Sequence, residues 1–208
     1  MIDIDFSIIG DPTPTLEQTL RDFEAERGIH VNLSTQTWEN AWHELLMWGL
    51  YGQGPDVSQV GSTWATSLMS MNSVRPFLEH EIRSFGGSHV FLPQCWQSTQ
   101  DPASFAISSL PWTSYTFVLA YRRDLLEKAG VNLQGAFLSA ESLLETASAL
   151  QKSGVARPWV IPVDPNYIDT LHFIASWVWA SGGDFISQDG RHVAFNRPAT
   201  ITAMTHFF

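Results

Sequence analysis

The chain predicts an α/β fold, a parallel β-sheet covered by helices, and three observations predict it. Its first sixty residues alternate strand-like and helix-like stretches in the order β-α-β-α-β with short connections. Capping and stop residues stand at the joints of that alternation. The composition is that of a globular protein: 44% of the 208 residues are hydrophobic and 15% charged, far from the profile of a disordered chain.

The first strand spans Ile2–Ile9 and runs into the turn Gly10-Asp11-Pro12. Thr13 is a good N-cap and Pro14 suits the first helical position. Leu16, Leu20 and Phe23 then recur at helical spacing until Gly28 supplies the stop. Ile29, Val31 and Leu33 alternate as a strand with one buried face. Thr37 caps a second helix with apolar positions at Trp38, Trp42 and Leu45, which runs out at Tyr51-Gly52-Gln53-Gly54-Pro55. A third strand over residues 57–60 ends in the loop Gly61-Ser62-Thr63-Trp64.

Residues 74–105 read as helices and loops without a sharper pattern. Strands are expected at 105–110, leading into Pro111-Trp112, and at 117–121. Residues 124–130 predict a short helix stopped by Gly130. Ser139 caps a longer helix carrying Leu143, Leu144, Ala147 and Leu150, closed by Gly154. A strand at 159–163 and a helix from about 165 to 181 follow, ending at Gly182-Gly183. Asp189-Gly190 between alternating segments signals a hairpin. Asn196 is the expected cap of a last helix with Pro198 near its start and Ile201, Met204 and Phe208 on one face. That face is still apolar where the sequence stops, so the 208 residues are expected to be part of a longer protein.

Charge and motifs narrow the function. Eleven Lys and Arg against 21 Asp and Glu give a net charge of −10, which opposes binding to nucleic acid or to anionic membranes. No apolar run is long enough to span a bilayer, so no direct membrane insertion is expected. Cys95 is alone, which excludes a disulfide framework and a CxxC redox or zinc motif. There is no HExxH, GxSxG or GxGxxG, and Gly54-Pro55-Asp56 lacks the Gly-Lys-Ser/Thr ending of a phosphate loop. No enzyme chemistry, cofactor or metal is predicted. Met1 is followed by Asp3 and Asp5 rather than a basic and apolar leader. The location is therefore expected to be extracytoplasmic if an export segment was removed, and cytoplasmic if Met1 is the native start.

Nine Trp residues are more than a core of this size ordinarily hides, because Trp is rarely buried completely. Some are expected to line a pocket. In a parallel α/β sheet ligands sit beyond the C-terminal strand ends. That rule points at Gly10-Asp11, at the segment near Trp38, and at the loop from Gly61 to Trp64.

Several segments, in order, resemble the extracellular solute-binding protein family that serves sugar-type ABC transporters, the group containing maltose-binding protein. They are Phe23-Glu24-Ala25-Glu26-Arg27-Gly28-Ile29, Trp38-Glu39-Asn40-Ala41-Trp42, Gly54-Pro55-Asp56-Val57 and Gly61-Ser62-Thr63-Trp64. Leu110-Pro111-Trp112 follows, then Tyr121-Arg122-Arg123-Asp124-Leu125-Leu126-Glu127-Lys128-Ala129-Gly130-Val131. Trp177-Val178-Trp179-Ala180-Ser181-Gly182-Gly183-Asp184 and the Asp189-Gly190 hairpin complete the set. The resemblance implies a two-lobed, type II periplasmic-binding-protein-like fold in which ligand sits in an interlobe cleft closed by a hinge. Members are normally about twice this length, so residues 1–112 would be most of the first lobe without its returning strand. Residues 113–208 would begin the second lobe.

The candidate ligand contacts each carry a plainer alternative. Thr63 and Trp64 lie in a polar loop at a strand end, where a purely structural Trp is less expected. Asp11 is placed to accept sugar hydroxyls or to cap the first helix, and Trp38 to stack on ligand or to pack. Trp112 and Tyr115 would lie at the crossing between lobes, and Asp164, Asn166 and Tyr167 form a polar loop after a strand. His172 and Trp177 lie on a helix and are assigned to packing, and Trp42, Trp48, Trp96, Trp159 and Trp179 to packing or partner surface. The expected function is a receptor for a sugar or similar small polar solute, with an ABC transporter permease as partner. The rivals are a cytoplasmic ligand sensor of the same fold and, less favoured, a carbohydrate-active enzyme.

Overall fold

The structure, a computed structural model, describes residues 2–101, 104–161, 163, 169–187 and 189–207. It divides into two compact units, Met1–Ser114 and Tyr115–Phe208.

The first unit is the predicted alternation. β1 (Ile2–Ile9), α1 (Pro14–Arg27), β2 (Ile29–Gln36), α2 (Trp38–Tyr51) and β3 (Val57–Ser58) follow in order, and the three strands form a parallel sheet in the order β2-β1-β3. β1 and β2 pair in full register from Ile2↔Ile29 to Ile9↔Gln36. Thr13 caps α1 through a hydrogen bond that its Oγ1 accepts from the Leu16 N–H, and Gly28 ends it in the left-handed conformation. The α1–β2 joint is tightened by Glu24, whose Oε1 accepts from the Val31 N–H at 2.8 Å and lies 2.7 Å from His30 Nδ1. The Val31 N–H and, second to it, His30 hold the Glu24 carboxyl below its usual range. Thr37 precedes α2 as expected, but its side chain caps no backbone N–H.

β3 is shorter than the expected 57–60. Its ladder to β1 holds only Phe6↔Val57 and Ser7↔Ser58. Beyond that ladder two side chains substitute for backbone: Asp56 Oδ2 accepts from the Asp5 N–H and Gln59 Oε1 from the Ile9 N–H, both at 2.9 Å. α3 (Ala65–Ser70), α4 (Glu79–Ser84), a 3-10 turn (Ser88–Val90) and α5 (Pro93–Gln97) follow. The core lies where Ser7 and Ile8 of β1, Ala41 and Leu45 of α2, and Ala65 and Leu68 of α3 are buried.

Residues 105–110 are not the predicted strand. Phe105 has φ 59°, which no strand residue adopts, because two backbone bonds tie this segment back to Asp101: the Phe105 N–H donates to the Asp101 carbonyl and the Asp101 N–H to the Ala106 carbonyl. Only an isolated bridge, Gln100↔Ile107, remains. Residues 117–121 and the described part of 159–163 are likewise not strands, having no ladder partner among the described residues.

The second unit holds α6 (Arg123–Lys128), α7 (Ala140–Lys152), α8 (Thr170–Ala180) and α9 (Pro198–Phe207). Ser139 and Ser142 cap α7 reciprocally, as a capping box. α8 begins at Thr170 rather than near 165; residues 164–168 lie outside those described. The Asp189-Gly190 hairpin shows as an antiparallel bridge, Ile186↔Val193. The last helix buries Thr200, Ala203 and Phe207, not the predicted face: Ile201 is half exposed and Phe208 lies outside the described residues. The carbonyl of Arg197 accepts the first helical bond, from Ile201, so the cap position falls one residue after the expected Asn196.

Candidate functional site

β1 lies between β2 and β3, so the chain leaves it toward one neighbour and returns on its other side. Such a reversal opens a crevice outside the C-terminal ends of the two strands that flank it. The structure has a cavity of about 360 Å³ there, whose wall includes Ile9, Asp11, Thr13, Gln59, Trp112 and Thr113. Each wall residue has a local cause. The Gly10 N–H bonds the Gln36 carbonyl at 2.8 Å and fixes the turn that carries Asp11. Gln59 is tied by its backbone N–H to the Ser7 carbonyl and by its side chain to Ile9. The half-exposed Trp112 rests on Phe6 of β1 with ring centroids 5.6 Å apart. Capping of α1 belongs to Thr13, which leaves Asp11 on the cavity wall rather than in the helix cap.

A second aromatic group forms in the same unit. Trp64 sits in the turn after β3, its N–H donating to the Gly61 carbonyl at 2.9 Å. Its indole lies over Gly61 so closely that a Cβ there would stand 3.0 Å from the ring. Trp38 and Trp42, one helical turn apart on α2, flank it at centroid distances of 5.7 and 5.5 Å. Trp38 is 52% exposed, and Thr63 is exposed in the same turn as Trp64. Beside Trp38, the Glu39 carboxyl is held below its usual range by a backbone N–H and then by the Thr37 hydroxyl, so it carries its charge at neutral pH.

In the second unit Tyr115 is largely exposed, its hydroxyl 3.2 Å from His172 Nδ1, and that nitrogen is also 3.2 Å from Asp169 Oδ1. Partial burial of the hydroxyl, then the Asp169 carboxylate, raises the Tyr115 pKa and keeps it a donor. Asp164, Asn166 and Tyr167 lie outside the described residues.

Five predicted residues therefore fall in two groups of the first unit. Asp11 and Trp112 share the cavity; Trp38, Trp64 and Thr63 share the tryptophan group. Sequence reading assigned Trp42 to packing, and it packs against Trp64 one helical turn from Trp38. Gln59 had no sequence signal, because its placement depends on how β3 pairs. None of the nine tryptophans is fully buried. Among the described residues no group of three or more His, Cys, Asp or Glu is arranged to hold a metal ion. The arrangement sets aromatic plates beside hydroxyl, amide and carboxylate groups, which can support non-covalent recognition.

The fold is an open parallel α/β sheet with a crevice at its C-terminal strand ends. Residues 18–207 match the family model described as bacterial extracellular solute-binding protein, and the chain belongs to that family. No curated protein matches it in sequence. Among solved structures it is similar to the sugar-binding protein MalE of Xanthomonas citri, at 18% identity and a TM-score of 0.80, over 99% of this chain and 51% of that one. A solute-binding protein of Thermotoga lettingae TMO, bound with α-D-tagatose, matches at 19% identity and a TM-score of 0.74, over 100% and 53%. A sugar transporter structure from Arthrobacter chlorophenolicus A6 with bound laminaribiose matches at 18% and 0.69, over 98% and 51%. The chain spans about half the length of these structures, and it shares with them the two-lobed α/β fold over that half.

Proposed function

We propose that the chain is the solute-capturing part of an ABC transport receptor, which binds a sugar or similar small polar solute and delivers it to a membrane permease without transforming it. The observation that carries this reading is the pairing of half-exposed indoles with polar groups at the C-terminal edge of a doubly wound sheet. A sugar presents apolar C–H faces and a rim of hydroxyls. Trp112 and the Trp38–Trp42–Trp64 group offer flat apolar surface for the first, and Asp11, Gln59 and Thr63 offer partners for the second. Tyr115, a donor in the second unit, and Asp164, Asn166 and Tyr167 are proposed as further contacts. The sugars bound in similar structures support the ligand class, and the family supports a location outside the cytoplasm. No helix among the described residues is long and apolar enough to cross a membrane.

Calorimetric titration of the complete protein against mono- and oligosaccharides tests the proposal. Saturable binding of at least one member is the expected result. Silence across sugars and polyols, or turnover of a sugar on incubation, would overturn it.

A further inference from the structure

The proposed site bears charge of one sign, and we infer that it selects solutes by charge: it accepts neutral or cationic carbohydrates and rejects uronates and sugar phosphates. This rests on the binding reading above and adds the ionic class of the ligand. Met1–Ser114 contains thirteen Asp and Glu against four Arg and no Lys, a net −9 of the chain's −10. The four arginines are already engaged. Arg21 lies 4.0 Å from Glu17, Arg27 3.3 Å from Glu26, Arg75 2.8 Å from Glu81 and Arg83 2.9 Å from Glu79. None lines the cavity, where Asp11 is the sole ionisable side chain among the described residues. In the tryptophan group, Trp38 is followed in the chain by the charged, solvent-exposed Glu39, and none of the group's members is basic.

One feature favours anions, the N-terminus of α1 at the cavity wall. It is largely spent. Pro14 has no N–H, Thr13 occupies the Leu16 N–H, and Glu17 stands in the first turn. The helix end amounts to about half an elementary charge, less than the whole charge of Asp11. At this cavity wall a carboxylate or phosphate on the solute would thus meet a like charge with no Arg or Lys among the described lining residues to answer it, whereas an ammonium would meet a partner.

The test titrates the complete protein with sets differing only in charge: glucose, glucuronate and glucosamine; cellobiose, cellobiuronate and the chitosan dimer; galactobiose and digalacturonate. In any set that binds, the acid should be at least about tenfold weaker than the neutral sugar and the amine no weaker. Asp11→Asn should shrink that gap by about threefold, and 0.5 M NaCl should shrink it in the unaltered protein. An acid that binds as tightly as its neutral partner, or a gap unmoved by both changes, overturns the inference while the carbohydrate reading stands. No binding in any set overturns both.

Discussion

Met1–Ser114 is organised by a sheet and Tyr115–Phe208 by helix contacts. In the first unit β1 is paired on both sides, and its C-terminal residues Ser7 and Ile8 are buried while the turn beyond them opens onto the cavity. In the second, the described residues hold four helices and one isolated bridge, and a polar side chain is buried as fully as the apolar Val178 and Ala203. Thr200 is fully buried on α9, and its Oγ1 accepts from the Asp184 N–H at 3.2 Å and lies 3.1 Å from the Asp184 carbonyl. The difference teaches where each unit is brittle. The first can lose a site residue and keep its sheet; the second depends on a close backbone approach.

The largest expected effect breaks the second unit alone. A Cβ at Gly183 would stand 2.6 Å from Thr200 Oγ1 and 3.0 Å from Thr200 backbone atoms, and that backbone cannot yield as a flexible side chain can. Gly183→Ala is expected to cost about 2–3 kcal/mol in urea unfolding. Next comes a site effect in the first unit. Trp64→Ala should weaken sugar binding about thirtyfold by calorimetry, with the far-UV spectrum unchanged. Gly61→Ala sharpens the same point: the added methyl pushes the indole aside and should weaken binding about fivefold, without removing the ring. A smaller effect tests the edge strand. Asp56→Ala removes the acceptor of the Asp5 N–H, which borders water, so unfolding should show a loss of about 1 kcal/mol.

The smallest is a pH effect on α4. Arg75 first, then the Leu78 N–H, holds the Glu81 carboxyl down from 4.5 to about 2. A depressed carboxylate stabilises the fold above its unfolded pKa and loses that contribution as pH falls through the folded one. Glu81 should therefore support α4 fully above pH 4.5 and release it toward pH 2. Carboxyl NMR titration checks this, and in Arg75→Ala the Glu81 midpoint should move up toward 4.5.

Legibility in the sequence followed the range of the contacts involved. Several helix joints could be read from neighbours: Thr13 with Pro14 and Gly28 after Arg27 in the first unit, and Ser139 before α7 in the second, all stand where local chemistry puts them. Residues 117–121 have strand composition but form no strand, since a strand acquires its hydrogen bonds only from a neighbour. Residues 105–110 failed for another reason, the turn closed at Asp101. On the last helix the buried stripe was misplaced by one position, as both stripes satisfy helical spacing and only packing chooses between them. The two site groups were half legible. A strand-end rule pointed at Asp11, Trp38 and Trp64, which lie at the cavity and in the tryptophan group, whereas Gln59 on the cavity wall gave no signal.

The sequence by itself determined the βαβαβ order, the ends of α1, the net negative charge of the first half and the excess of indole, because these depend on residues a few positions apart or on composition alone. Tertiary structure decided that β1 lies between β2 and β3, that Trp64 settles on Gly61 between Trp38 and Trp42, and that Trp112 joins Asp11 at one cavity. Those outcomes bring together groups up to a hundred positions apart, and hydrophobic burial, which has no direction of its own, leaves the choice to the pairing of strands.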